Sequence, residues 1–316
     1  MNTSYLINGL TAISRCKEKT GDIWQAHLGA ALIAGHFFQA ENTLESSTRQ
    51  AVFDQMDDLI DHNQDVFAPP FPSGPTVDFE SAIIEALSET IDRLCWVGHN
   101  VIYSALSLKA LRELPELGTS ELVDGIVELV RTFNKSVPGR SWIGWTGREV
   151  KNLATPTDIL LHVQDANHLS NCILDEISRF RTIYKAEAHN DLMGHLLTHS
   201  QALVILYDLG YQEIFERGIN PLKKQVKILR SSQDLPPGTE FTVSSPVDKP
   251  PLEVATPLPE SPLDLKYWQK DYRESNWYFG HTFKFPYSYF DHVKHASKEK
   301  EGESNSNFQY ILDLLD

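Results

Sequence analysis

From residue 5 to residue 229, apolar side chains recur at helical spacing with few interruptions, and this limits the chain to helix packed on helix. The periodic segments run through about 5–17, 22–43, 47–63, 78–95, 97–113, 119–134, 156–185 and 189–229, the last broken near Gly210. The run Ala68-Pro69-Pro70-Phe71-Pro72-Ser73-Gly74-Pro75 is a linker that no helix crosses. Thr119-Ser120-Glu121 and Thr155-Pro156-Thr157-Asp158 read as helix starts. The expected fold is all-α: a multi-helix bundle or α/α ring of antiparallel hairpins. Residues 22–38 and 97–111 are apolar in nearly every direction, so both helices belong in the interior.

Residues 1–230 therefore read as a helical core domain, and residues 231–316 as a different kind of segment. Eight of the 17 prolines lie between Pro236 and Pro262, which makes that stretch extended. Beyond it come Trp277, Tyr278, Phe279, Phe283, Phe285, Tyr287, Tyr289 and Phe290, with a strand-like alternation over residues 277–285. So aromatic a segment is expected to pack back onto the core. Residues 296–306 read as a solvated loop, followed by a short helix carrying Phe308, Ile311, Leu312 and Leu315.

Composition narrows the function classes. A net charge of −15 argues against nucleic acid and anionic membrane surfaces as partners. No run of 18 apolar residues and no basic-then-apolar leader is present, and Cys16, Cys95 and Cys172 are few and scattered, so a reducing cytoplasm is expected. The partner left is a small-molecule substrate, and the oligomeric state is not legible.

Four histidines directly follow a glycine: Gly35-His36, Gly98-His99, Gly194-His195 and Gly280-His281. Random order of 17 glycines and 12 histidines in 316 residues gives about 0.65 such pairs. A glycine inside a helix costs about 1 kcal/mol and is tolerated where backbones approach closely. An imidazole beside it can ligate metal or move protons near neutral pH. His195 and His199 lie one turn apart on one helix face, a spacing that suits a metal, and His162 on the apolar face of the 157–184 helix is the candidate third ligand. Three nitrogens with an open position describe a catalytic zinc or iron site. His36, His99 and His281 are the candidate catalytic residues, with His27 as another buried histidine that needs a partner. Asp165 and His168 read instead as a solvated or inter-helix pair.

The expectation is a cytoplasmic enzyme with a His-lined internal pocket, which either holds a divalent zinc or iron ion or works without a cofactor through two histidines as acid and base. Its substrate would be small and hydrophobic or aromatic, and its chemistry of hydrolase, lyase or oxygenase type. The alternative is a helical interaction scaffold with structural histidines. A minor alternative is a terpene-synthase-like diphosphate enzyme, because Asp57-Asp58-Leu59-Ile60-Asp61 matches DDxxD as a string; all three aspartates, however, point away from the apolar face of their helix. Residues 98–111 resemble helical segments of the questin-oxidase-like family, which implies an all-α fold and oxygen-using chemistry. The likeness covers that one helix and transfers no site residue.

Overall fold

The computed structural model describes residues 2–67, 69–273 and 280–313. Thirteen α-helices dominate these residues: α1 (Ser4–Thr20), α2 (Ala26–Glu41), α3 (Ser46–His62), α4 (Phe79–Ser88), α5 (His99–Glu113), α6 (Ser120–Thr132), α7 (Gly147–Asn152), α8 (Ala166–Ser178), α9 (Leu192–Asp208), α10 (Gln212–Arg230), α11 (Leu265–Trp268), α12 (His281–His295) and α13 (Lys298–Ile311). One two-stranded antiparallel ribbon, β1 (Trp142–Ile143) with β2 (Val243–Ser244), pairs Trp142 with Ser244 and Ile143 with Val243. The protein is an all-α multi-helix bundle, and none of its described helices is long and apolar enough to cross a membrane.

Four helices form the interior. α12 packs on α2 and α9, and α5 packs on α9 and α2. Each is buried without a break over most of its length: Ala26–Gln39, His99–Leu108, Leu192–Leu206 and His281–His292. Such helices have no polar face, because every direction meets another helix. The remaining helices surround them, with α1 against α2 and α6, α10 against α9, and α8 against α9, α12 and α13.

Three expectations need correcting. Residues 157–165 are not helical: Leu160 and His162 have φ of 46° and 57°, and α8 starts only at Ala166. Its N-cap is Asp165, whose carboxylate accepts the backbone N–H of His168 at 2.7 Å, so the Asp165/His168 pair is a helix start. The alternation over residues 277–285 is not a strand from His281 onward, where α12 begins; Trp277, Tyr278 and Phe279 lie outside the described residues. Phe283, Phe285, Tyr287 and Tyr289 alternate in sequence although they lie on one helix, so the alternation carried no strand information. Most of residues 296–306 belong to α13, a polar-faced helix held by Phe308 stacking on Tyr289 at 3.8 Å.

Candidate metal centre

The four interior helices begin at one place, and a histidine stands in the first turn of each. His27 is the second residue of α2, His99 and His281 the first of α5 and α12, and His195 the fourth of α9. Their side chains meet. Ring centroids lie 4.4 Å apart for His27–His99, 5.0 Å for His99–His195, 4.9 Å for His195–His281 and 6.0 Å for His27–His281. One nitrogen each from His27, His195 and His281 falls within 4.8 Å of the others, and His99 Nε2 stands 2.7 Å from His27 Nε2. All four residues are at most 5 % exposed.

His27, His99 and His195 are hydrogen-bonded through Nδ1, and His281 Nδ1 stands within ion-pair distance of Asp191. His27 Nδ1 faces the Trp24 carbonyl at 3.1 Å and the Tyr103 hydroxyl at 2.6 Å, while Tyr103 donates to the Ile23 carbonyl at 3.2 Å. His99 Nδ1 donates to the Trp96 carbonyl. His195 Nδ1 lies 2.9 Å from the Asp191 carbonyl and 3.2 Å from Asp191 Oδ2, and His281 Nδ1 lies 3.0 Å from Asp191 Oδ1. Carbonyls and carboxylates only accept, so His99 and His195 carry their proton on Nδ1 and a lone pair on Nε2, while His27, whose Nδ1 also faces a hydroxyl, shares a hydrogen bond with His99 through Nε2. An Nδ1 held by a carbonyl or carboxylate is the second-shell arrangement of metal-bound imidazoles.

The backbone is shaped to deliver these groups. Trp96, Val97 and Gly98 all have left-handed φ, at 40°, 50° and 99°. This costly conformation for the first two is held by Trp96 N–H and Val97 N–H donating to the Val137 and Pro138 carbonyls at 2.8 and 2.7 Å. It turns the Trp96 carbonyl toward His99. A Cβ on Gly98 would come within 2.3 Å of the His199 ring, and one on Gly280 (φ 68°) within 2.1 Å of Ala31. Both positions therefore require glycine for φ and for space. Asp191 ends a π-helical turn, Glu187–Asp191, that runs directly into α9.

Burial favours the neutral form of His27, His99 and His281. Burial pushes the pKa of His27 and His99 well below the usual range, and that of His281 down to about 4. Burial works against ionisation of Asp191, but the adjacent His195 and His281 outweigh it and hold the carboxyl well below its usual value. Lys284, one turn after His281, is 2 % exposed, and burial lowers it to about 7. Phe285 stacks on His281 at 4.6 Å and meets the edge of His195 at 5.7 Å, filling the space left by the missing side chain of Gly194. Half-buried Trp24 and Trp96, packed edge to face at 4.8 Å, cover the His27/His99 side.

The predicted residues divide. His99, His195 and His281 converge. His199 points the other way: Nδ1 meets Gln225 Oε1 on α10 at 2.9 Å, so HxxxH is not a joint ligand pair. His36 is nine residues along α2 from His27, about 13 Å of helix, and its Nε2 lies 3.5 Å from Glu113. His162 sits exposed in a turn outside the cluster. Asp57, Asp58 and Asp61 are exposed, and Asp57 accepts the Tyr5 hydroxyl at 2.8 Å, so the DDxxD string faces solvent. Asp191 and Tyr103 went unrecognised, although Asp191 precedes His195 by one helical turn.

The fold and site thus define an all-α bundle around a buried histidine cluster able to hold a metal ion. No protein-family model, no curated protein and no solved structure matches the chain.

Proposed function

We propose that this chain is a metal-dependent enzyme whose centre is His27, His195 and His281, holding one divalent zinc or iron ion with a position left open. The observation that carries the reading is that one ring nitrogen each of His27, His195 and His281, all buried, lies within 4.8 Å of the others. Metal–imidazole bonds are about 2.0–2.1 Å, so nitrogens around one ion stand about 3 Å apart, a spacing that small ring rotations reach from there. Imidazole suits zinc and iron alike. When bound, such an ion supplies Lewis acidity, an activated water or oxygen chemistry.

The protein's own groups would do the rest. Asp191 keeps the proton on Nδ1 of His195 and His281 and fixes both rings. Trp24, Trp96 and Phe285 exclude water and offer aromatic walls to a small hydrophobic or aromatic substrate. Lys284, largely deprotonated just above neutral pH, can accept a proton beside the cluster. The alternative is a scaffold with structural histidines; His195 Nε2 and His281 Nε2 have no partner among the described residues, as is also true of His36 and of His189 Nε2 outside the cluster. Calorimetric titration of stripped protein with zinc, and anaerobically with ferrous iron, tests the proposal. One ion per chain in wild type, and none in His195→Ala, is the expected result; no binding heat in wild type overturns it.

A further inference from the structure

Lys284 follows His281 by three residues on α12, so both side chains project from one face of that helix. Only 2 % of the residue is exposed. Two other lysines held partly inside the fold have carboxylate partners: Lys109 meets Glu41 at 2.6 Å and Lys185 meets Asp313 at 3.4 Å. Among the described residues no hydrogen bond or ion pair reaches Lys284 Nζ. The carboxylate that acts on it, Asp191, is already engaged by His195 and His281. Its charge bears also on His27 of α2, His99 of α5 and His281 of its own helix. A buried ammonium without a partner is costly, and burial accordingly lowers this one to about 7. A desolvated lysine of this kind presents a free amine, and its lone pair can attack carbon as readily as it accepts a proton.

We infer that Lys284 is a covalent site for an aldehyde or ketone, which it joins as an imine. The Nζ lone pair adds to the carbonyl carbon. Both protons of the amine pass to the carbonyl oxygen, the C–O bond breaks, and water leaves as the C=N bond forms. No oxidant or reductant enters the balance. The aromatic side chains of Trp24, Trp96 and Phe285 at the same cluster suit a small aromatic body on the carbonyl compound. Imine formation needs no metal, so this site goes beyond the metal reading and stands or falls separately from it.

The test uses the full chain, with benzaldehyde as the probe and sodium cyanoborohydride to reduce the imine to a stable benzylamine. Modified lysines are located by peptide mass mapping after brief exposure at neutral pH. The expected result is labelling of Lys284 at least about ten-fold faster than of Lys151 and Lys227, both exposed. That advantage should vanish in protein unfolded with guanidinium chloride, and Lys284→Met should lose the fast label while Lys151 and Lys227 react as before. Labelling of Lys284 no faster than of the exposed lysines, or an advantage that survives unfolding, overturns the covalent site and leaves the metal centre standing. The wild-type map alone decides this where Lys284→Met does not fold. Fast labelling of Lys284 in protein that takes up neither zinc nor ferrous iron upholds the covalent site and overturns the metal reading.

Discussion

His27 and His99 approach Nε2 to Nε2 within 2.7 Å, although the Nδ1 of each already faces a backbone carbonyl, of Trp24 and Trp96 respectively. The contact is a hydrogen bond, so one of the two rings carries its proton on Nε2. Ion binding at His27, His195 and His281 should stabilise the fold by about 2.7 kcal/mol at a hundred-fold excess of ion over Kd. In His99→Ala the metal-free protein should lose about 1–3 kcal/mol, because a buried hydrogen bond goes with the ring. Thermal melts with and without zinc check both halves.

Asp191 reaches both His195 and His281 from one carboxylate. Asp191→Asn should weaken metal binding about 10–100-fold with the fold intact. Glu187→Gln, at the other end of the same π-helical turn and paired with Arg140 at 2.7 Å, should leave affinity within about three-fold of wild type. Competition against a coloured chelator measures both.

The depressed pKa values of His27, His99 and His281 keep these rings neutral, so protonation of these three should cost no metal affinity between pH 8 and 6, where Lys284, at about 7, gains a proton beside the cluster. Ordinary histidines near 6.5 would instead lose affinity by about ten-fold per ligand for each pH unit below that value. A steep decline beginning at pH 6.5 would show that the rings are not held neutral.

Stability should respond to acid through histidines away from the cluster. His292, bonded to Ser170 and Ser200 at 2.9 and 2.8 Å, and His189 are each pushed by burial from 6.5 to about 3. A histidine lowered in the folded state binds its proton more readily when unfolded. Its contribution is therefore present above pH 6.5 and lost as pH falls from there to about 3. Each adds a slope of about 1.4 kcal/mol per pH unit over that window. Denaturant melts of His292→Gln should show a slope smaller by about one proton.

Gly98→Ala should destabilise by about 2–4 kcal/mol, combining left-handed strain with overpacking against His199. Gly21→Ala, at φ 70° with nothing within 4 Å of the added carbon, should cost only the strain, about 1–2 kcal/mol. Equal losses in the two variants would remove the packing role assigned to Gly98.

The helical segments over residues 5–134 and α9 and α10 were legible because apolar residues recur through them at helical spacing. α12 was not, since its aromatic residues Phe283, Phe285, Tyr287 and Tyr289 alternate in sequence and read as a strand face. The Gly-His pattern led to His99, His195 and His281 because close backbone approach and ligand position coincide at helix starts. It missed His27, which follows Ala26, and it promoted His36, whose glycine instead makes room for Met56 and Phe283. His162 was misplaced by the Thr155-Pro156 start signal, which Asp165 supersedes. Convergence of four helix ends is a tertiary property that a helical wheel does not contain.

Metal content of protein purified without a histidine tag tests the central claim most directly. The account predicts about one zinc or iron per chain in wild type and in His162→Ala, and below about 0.1 in His195→Ala and His281→Ala. Wild-type protein below about 0.1 ion per chain after incubation with zinc and with ferrous iron, or cluster variants that keep their metal, would contradict it.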